Sequence, residues 1–554
     1  MRGLMMDYQL TVAAIVRRAG ALFGHRMSAS RRSDKTIVRH SYADIIDRAK
    51  RLGVALGQLG VRPGERVATL AWAGHQHLEA YLAIPSMGAV LHTLNLRLHH
   101  DDLVYIINDA DDRVLLLDES LLPLLERLRS EIRIEHVIVI GGASPRQPSP
   151  GRETADPRQA PGAELIDYEE LLASADPSRF VEPAIDEHDT AAMCYTSGTT
   201  GRPKGILYSH RAIVLHSLAQ GLRDSLGLGE DDTVLPIVPM FHVNAWGLPF
   251  SAVLFGCNQV FPGPFLDPQS VISLLVSERV TLTAGVPTVW LAVLQELDTS
   301  PGAYDLSRLR AIVIGGSAAP PAMIRGYQER HGLKIVHAWG MTEMTPIGTL
   351  CNLPASLRQA SADEQFRYRA RQGTPLPFVE LRARAEADLT PWDGRTMGEL
   401  EVRGPWVAAR YYNTQGADGR FTEDGWFRTG DIVTIDSSGC IELADRAKDL
   451  VKSGGEWISS VALETALMGH PAVAEAAVIA VPHPTWDERP LAIVVLKAGQ
   501  TATPEDLLAF LEPSFAKWWL PDAIEFAAEI PRTSVGKFQK SVLRERFRNR
   551  YQEQ

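Results

Sequence analysis

The sequence predicts an α/β protein of two or more domains, and three observations predict it. The chain has 554 residues, more than one hydrophobic core ordinarily serves. Hydrophobic residues make up 45% and charged residues 22%, the balance of a soluble globular enzyme. Helix-like and strand-like segments alternate through most of the chain, which implies parallel sheets covered by helices.

The alternation starts early. Tyr42–Leu59 repeats apolar residues at helical spacing, a turn follows at 60–66, and Val67–Trp72 reads as a strand. Val114–Leu117 and Val137–Ile140 continue the pattern. Residues 1–20 are amphipathic. They read as an ordinary first helix packing on its own core. Residues 141–163 are rich in Gly, Pro, Ser and Arg and read as a surface loop, because the alternation resumes after them.

Charge and cysteine usage exclude several classes. A net charge of −11 argues against general nucleic-acid binding, which wants a basic face. Cys194, Cys257, Cys351 and Cys440 are widely spaced and form no C-x-x-C pair, as expected of reduced thiols in a cytoplasmic protein. The longest apolar stretch, Ala245–Cys257, contains Pro249 and is too short to span a bilayer. The N-terminus lacks the order of charge and apolar residues of a signal peptide.

The densest chemistry lies in Tyr195–Gly205, which holds Gly198, Gly201 and Gly205, the hydroxyls of Thr196, Ser197, Thr199 and Thr200, and Lys204. The strand-like Thr190–Tyr195 precedes it, and a short strand passing into a helix follows. Glycines let backbone N–H groups approach an anion, hydroxyls add donors and the lysine adds a point charge. The stretch is a phosphate cradle by its chemistry. It is not the loop of kinases and ATPases, because Pro203 precedes Lys204 and no Ser or Thr follows it.

Five later stretches carry chemistry. His242, Asn244 and Trp246 interrupt the apolar run Val238–Gly247, where a lone His or Trp ordinarily belongs to the core. Gly285–Trp290 and Val313–Pro320 are strand ends followed by small residues, where open parallel sheets bind ligands. Neither contains a G-x-S-x-G elbow, so a serine hydrolase is excluded. After the strand-like Leu333–Val336, His337–Glu343 offers an aromatic (Trp339) to stack on a base, a hydroxyl (Thr342) for phosphate and a carboxylate (Glu343) for a cation. Asp431, after Arg428-Thr-Gly, can accept two hydrogen bonds from a cis-diol.

Beyond residue 445 the alternation returns. Helices are expected near Val461–Met468 and Pro504–Leu511, and strands near Ala474–Ala480 and Leu491–Leu496. By composition alone, Asp445–Ser459 is a charged turn and Gly536-Lys537 belongs to a terminal loop before a basic helix.

In this order, the cradle, the Val238–Gly247 segment, His337–Glu343, Asp431, Asp445–Ser459 and Gly536-Lys537 resemble the acyl-adenylate-forming superfamily. The likeness is greatest to its bacterial medium- and long-chain fatty-acyl-CoA synthetases, and it spans almost the whole chain. It implies a large N-terminal domain, residues 1–445, of parallel and mixed sheets with helices plus a distorted barrel. A small α+β C-terminal domain, residues 446–554, is joined by a hinge at Lys448.

The resemblance also implies the roles of residues. Lys537, Glu343 and Thr342 are catalytic. ATP or AMP is held by Thr196, Ser197, Gly198, Thr199, Thr200, Lys204, Val243, Gly316, Ser317, His337, Ala338, Trp339, Thr342, Asp431, Arg446, Lys448, Lys452 and Trp457. His242, Trp246, Gly285 and Gly316 face the acyl chain, with Trp246 as its gate, and Gly454 and Gly455 line the CoA channel. Thr196 and Glu343 place Mg2+. Trp339 stands where the superfamily often has Tyr.

The implied activity is ATP-dependent conversion of a medium- to long-chain fatty acid to acyl-CoA through acyl-AMP, in a cytoplasmic homodimer with an option of peripheral membrane contact. Alternatives are a ligase for a short thioether acid or an aryl acid, a free-standing adenylation module that loads a carrier protein, and an inactive nucleotide-binding regulator. No carrier domain follows residue 554, and every expected functional side chain is present.

Overall fold

The computed structural model describes residues 3–141, 164–196, 202–386, 388–414, 419–454, 456–532 and 538–551. It contains four sheets among those residues. The loop read at 141–163 lies, beyond Gly141, outside them.

The first sheet has seven strands, in the spatial order Glu164–Asp167, His136–Ile140, Asp112–Asp118, Arg66–Leu70, Val90–Thr93, Thr190–Tyr195 and Gly205–Ser209. All its pairings are parallel except the last, where Thr190–Tyr195 and Gly205–Ser209 run antiparallel around the glycine and hydroxyl stretch. Strands such as Asp112–Asp118 are apolar on both faces because helices cover both, as parallel sheets require.

The second sheet has nine strands, and its parallel centre includes Leu282–Gly285, Ala311–Ile314 and Ile335–Gly340. Leu282–Gly285 passes into the helix Pro287–Thr299, and Ala311–Ile314 leads to Pro321–His331, as the small-residue connections predict. One boundary differs. The strand expected at 333–336 runs from Ile335 to Gly340, so His337, Ala338 and Trp339 sit on it rather than after it. The antiparallel strand Ile347–Leu350 extends its pairing, a contact that local pattern does not report.

The third sheet has five antiparallel strands, including Gly398–Arg403, Phe427–Ile435 and Ile441–Arg446. It takes the place expected of a distorted barrel, and Gly373 bridges it to the nine-stranded sheet at Ile441. The chain then passes to a fourth sheet through residues 447–450. There Val473–His483 and Asp487–Leu496 form a long antiparallel pair, with Ser460–Met468, Pro504–Leu511 and Lys540–Arg546 as helices.

The N-terminal helix, Val12–Leu22, starts at a Thr11 cap whose side chain accepts from the Ala14 N–H. It buries Val12, Ala13, Ile15 and Ala19 in the chain's own core, so the amphipathic face has a partner within the chain. No helix among the described residues is long and apolar enough to cross a membrane.

Candidate functional site

Two adjoining cavities lie at the carboxyl ends of these strands, of about 550 and 420 Å³. They share Gly316, Ala338, Trp339, Arg446 and Phe538 as walls, so they form one site with two arms.

The first arm gathers Thr196, Lys204, His242, Val243, Trp246, Thr342, Glu343 and Lys448. The Thr196 N–H donates to the Lys204 carbonyl (2.9 Å), and the Lys204 N–H donates back to Thr196 Oγ1 (3.2 Å). These bonds close the base of the loop. The Lys204 ammonium stands 4.6 Å from the centre of the Tyr411 ring, a cation–π contact that orients it. Tyr411 also donates from its hydroxyl to Glu343 Oε1 (2.8 Å). One oxygen of this buried carboxylate is thereby fixed, and the other is left for a cation. The Thr342 carbonyl accepts from the Tyr208 hydroxyl at 2.7 Å. Burial holds the Lys448 ammonium below its usual pKa.

The second arm holds Ser317, His337 and Asp431 beside the shared walls. Asp431 is 1% exposed and doubly held. Its Oδ2 accepts from the Trp339 indole N–H (2.8 Å), and Arg446 Nε lies 2.6 Å from Oδ1. Trp339 is thus tied to Asp431 through its indole N–H, and it lines both arms. His337 sits between the Ala319 N–H (3.3 Å, at Nε2) and the Ala370 carbonyl (3.1 Å, at Nδ1). That pattern fits a neutral ring with Nδ1 protonated, and burial lowers its pKa to about 4.

Trp246 has an unusual backbone. Val243, Asn244, Ala245 and Trp246 all have left-handed φ, from 43 to 57°, and Gly247 follows at 74°. Such a conformation costs about 1–2 kcal/mol for each ordinary L-residue, and Val243, being β-branched, suits it least. The indole reaches the strand end beyond Ala311–Ile314. A Cβ on Gly315 would stand 2.9 Å from the Ala338 carbonyl, which bars a side chain there, and 3.2 Å from Trp246 Cη2, so glycine gives the ring its room.

Four predicted residues lie apart from both arms. Gly285 packs instead: a Cβ there would meet Trp290 Nε1 at 2.8 Å. Lys452 is exposed, and its N–H donates to Glu488 (2.9 Å). Trp457 is 37% exposed, and Gly454, at φ 59°, lies under the Trp486 ring. Ser197, Gly198, Thr199, Thr200, Gly455 and Lys537 lie outside the described residues. Phe538, the residue after Lys537, lines both arms.

Sequence reading missed Tyr411, which organises both Lys204 and Glu343, and His92. His92 is buried in the wall of the first arm with Nδ1 2.8 Å from the buried Asp112 carboxylate. Neither pair has a sequence spacing that could reveal it, since Glu343 and Tyr411 are 68 residues apart and His92 and Asp112 are 20.

The AMP-binding enzyme family matches residues 25–412, and the AMP-binding enzyme C-terminal domain matches 462–537. A long-chain-fatty-acid–CoA ligase of Thermus thermophilus is 48% identical over 99% of this chain and 97% of its own. A 3-methylmercaptopropionyl-CoA ligase of Ruegeria lacuscaerulensis is 43% identical over 99% of both chains. The crystal structure of the anthranilate CoA ligase AuaEII in complex with anthranoyl-AMP matches at a TM-score of 0.84 and 26% identity, over 99% of both chains. With its cavity walls, its fold and its full-length relatives in accord, the chain belongs to the AMP-binding enzyme family.

Proposed function

We propose that the protein is an AMP-forming fatty-acid–CoA ligase for medium- to long-chain acids. The observation that carries this reading is that Trp246, an apolar side chain on a strained turn, shares one cavity with Thr196, Lys204, Glu343 and Trp339. A gate for an acyl chain would stand beside the groups that hold a nucleotide. Full-length likeness to a long-chain-fatty-acid–CoA ligase supports the same substrate class.

In the first step a carboxylate oxygen of the acid attacks the α-phosphorus of ATP, and the bond to the β-phosphate oxygen breaks, releasing pyrophosphate. In the second, the sulfur of CoA attacks the acyl carbon, the thiol proton leaves to solvent, and AMP departs. Asp431 accepts from the ribose hydroxyls, Trp339 offers a face to adenine, and Lys204 and Lys537 offset phosphate charge. The free oxygen of Glu343 and the hydroxyl of Thr196 suit Mg2+, which takes few protein ligands beside phosphate and water. When bound, the ion would neutralise phosphate charge.

The domain boundary is proposed near residue 445, with Lys448 as the hinge. Phe538 lines both arms, whereas Gly454, Lys452 and Trp457 line neither. This is the pattern expected if the present orientation serves the first step and rotation brings the Gly454 segment in for the second. Lys448→Pro fixes φ at the hinge. In this variant acyl-AMP is still expected to form, while thioester formation falls at least ~100-fold, a loss of about 2.7 kcal/mol. Normal overall turnover would remove the hinge from Lys448.

A homodimer and a cytoplasmic setting belong to the proposal. The exposed Leu4, Met5 and Met6 support a contact with a second copy or a membrane surface, and four buried free thiols support a reducing compartment. The 43% likeness to a 3-methylmercaptopropionyl-CoA ligase supports a second reading, a short thioether acid. AMP release with ATP, CoA and a panel of acids decides between them. Preference for acids of eight or more carbons upholds the first reading, and preference for the short thioether acid replaces it.

A further inference from the structure

The left-handed turn at Val243–Trp246 cannot persist on its own preferences, so its surroundings must hold it. The helix His210–Gly221 and the helix Leu248–Phe255 flank it. Gln220, on the first helix, is 0% exposed. Its Nε2 donates to the carbonyl of Trp246 at 2.7 Å, and its Oε1 accepts from the hydroxyl of Ser251 on the second helix at 2.5 Å. That hydroxyl also lies 3.0 Å from the Gly247 carbonyl. The amide therefore has one orientation, with its donor edge on the carbonyl of Trp246.

The other side-chain anchors of the turn are looser. Asn244 Nδ2 lies 3.4 Å from Thr93 Oγ1, and Cys194 Sγ lies 3.6 Å from Asn244 Oδ1. A bond at 2.7 Å is a strong one, whereas 3.4 Å is at the limit of a useful contact. Gly247, at φ 74°, is closely packed, since a Cβ there would stand 2.7 Å from His216 Nδ1. When Val243–Trp246 relaxes to right-handed φ, the carbonyl of Trp246 must turn, and its bond to Gln220 breaks.

We propose that Gln220 is the catch of this strained turn, a positioning residue that sets whether Trp246 lies over Gly315 and Gly316 or swings away to admit the acyl chain. The inference rests on the reading of Trp246 as a gate. Neither Gln220 nor Ser251 lines the site, so both act through the turn.

The test uses the full chain and a medium-chain acid, titrated by calorimetry with and without a non-hydrolysable ATP analogue. Gln220→Leu leaves a buried apolar side chain one atom shorter and removes the amide donor and acceptor. Acid binding without nucleotide is expected to tighten on the order of tenfold, and the enhancement by the ATP analogue to shrink by the same factor, as a shared coupling requires. At saturating ATP, KM for the acid and kcat for acyl-AMP formation should both stay within about twofold, because the nucleotide-bound affinity and the groups at the reacting atoms are unchanged. In chains carrying 5-fluorotryptophan, the Trp246 resonance, assigned through Trp246→Phe, should move toward its nucleotide-bound position without nucleotide.

A lower melting temperature with unchanged acid affinity and an unmoved resonance would show that Gln220 only satisfies a buried carbonyl, and the inference would fall. If Gln220→Leu does not fold, Ser251→Ala, which frees the amide to turn, carries the same expectations and the same refutation. Trp246→Ala separates the two levels. Loss of the ATP effect there, with none in Gln220→Leu, leaves the gate standing and removes the catch. Retention of the ATP effect in Trp246→Ala removes both.

Discussion

Lys537→Ala is expected to abolish acyl-AMP formation and to leave thioester formation from supplied acyl-AMP largely intact. The lysine adjoins Phe538, which lines both arms of the site beside Asp431, Thr342 and Lys448. In the proposed first step its positive charge offsets the charge developing at the α-phosphate. Removing one such electrostatic contact costs at least ~3 kcal/mol, or more than ~100-fold in rate. The second step puts developing charge on the acyl oxygen and the departing AMP, and the proposed rotation carries Lys537 away before it. The two half-reactions are measured separately, by pyrophosphate release with acid and ATP and by CoA thioester formation with acyl-AMP. Equal loss in both would end the division of labour assigned to the two orientations.

Trp246→Ala is expected to change both stability and coupling. The side chain is 5% exposed and packs on Gly315 and Gly316, so truncation should destabilise the fold by ~3–5 kcal/mol, part of it returned by relief of the strained turn. That loss alone would be the signature of a core residue. A gate adds a second effect. With the indole gone, medium-chain acid should bind the nucleotide-free protein on the order of tenfold more tightly than it binds the parent, and an ATP analogue should no longer enhance binding. Calorimetric titration beside a melting curve reads both. An ATP effect of parental size in the folded variant would return Trp246 to the core and leave the acyl route without its gate.

What the sequence by itself determined was whatever depends on neighbours along the chain. Strands such as Val137–Ile140 and helices such as Tyr42–Gln58 announce themselves because burial imposes a local period. The phosphate cradle proposed at Tyr195–Gly205 could be suggested for a related reason: anion binding needs glycines and hydroxyls close together on one short segment. Asp431 and Glu343 could be proposed only because the order of motifs resembles a family, since a lone acid has no pattern.

Tertiary structure alone decided which groups meet. Trp339 and Asp431 are 92 residues apart, Glu343 and Tyr411 are 68 apart, and Gln220 and Trp246 bond across two helices. No spacing encodes such pairs, because they form when separate strand ends and helices converge. The helix Leu248–Phe255 is buried almost all round and so carries no amphipathic signal that could place the turn before it. That turn is the least legible feature of all. Val, Ala and Trp give no local reason to adopt left-handed φ, and the chain does so at Val243–Trp246 because long-range contacts from Gln220 and the space over Gly315 outweigh the local preference.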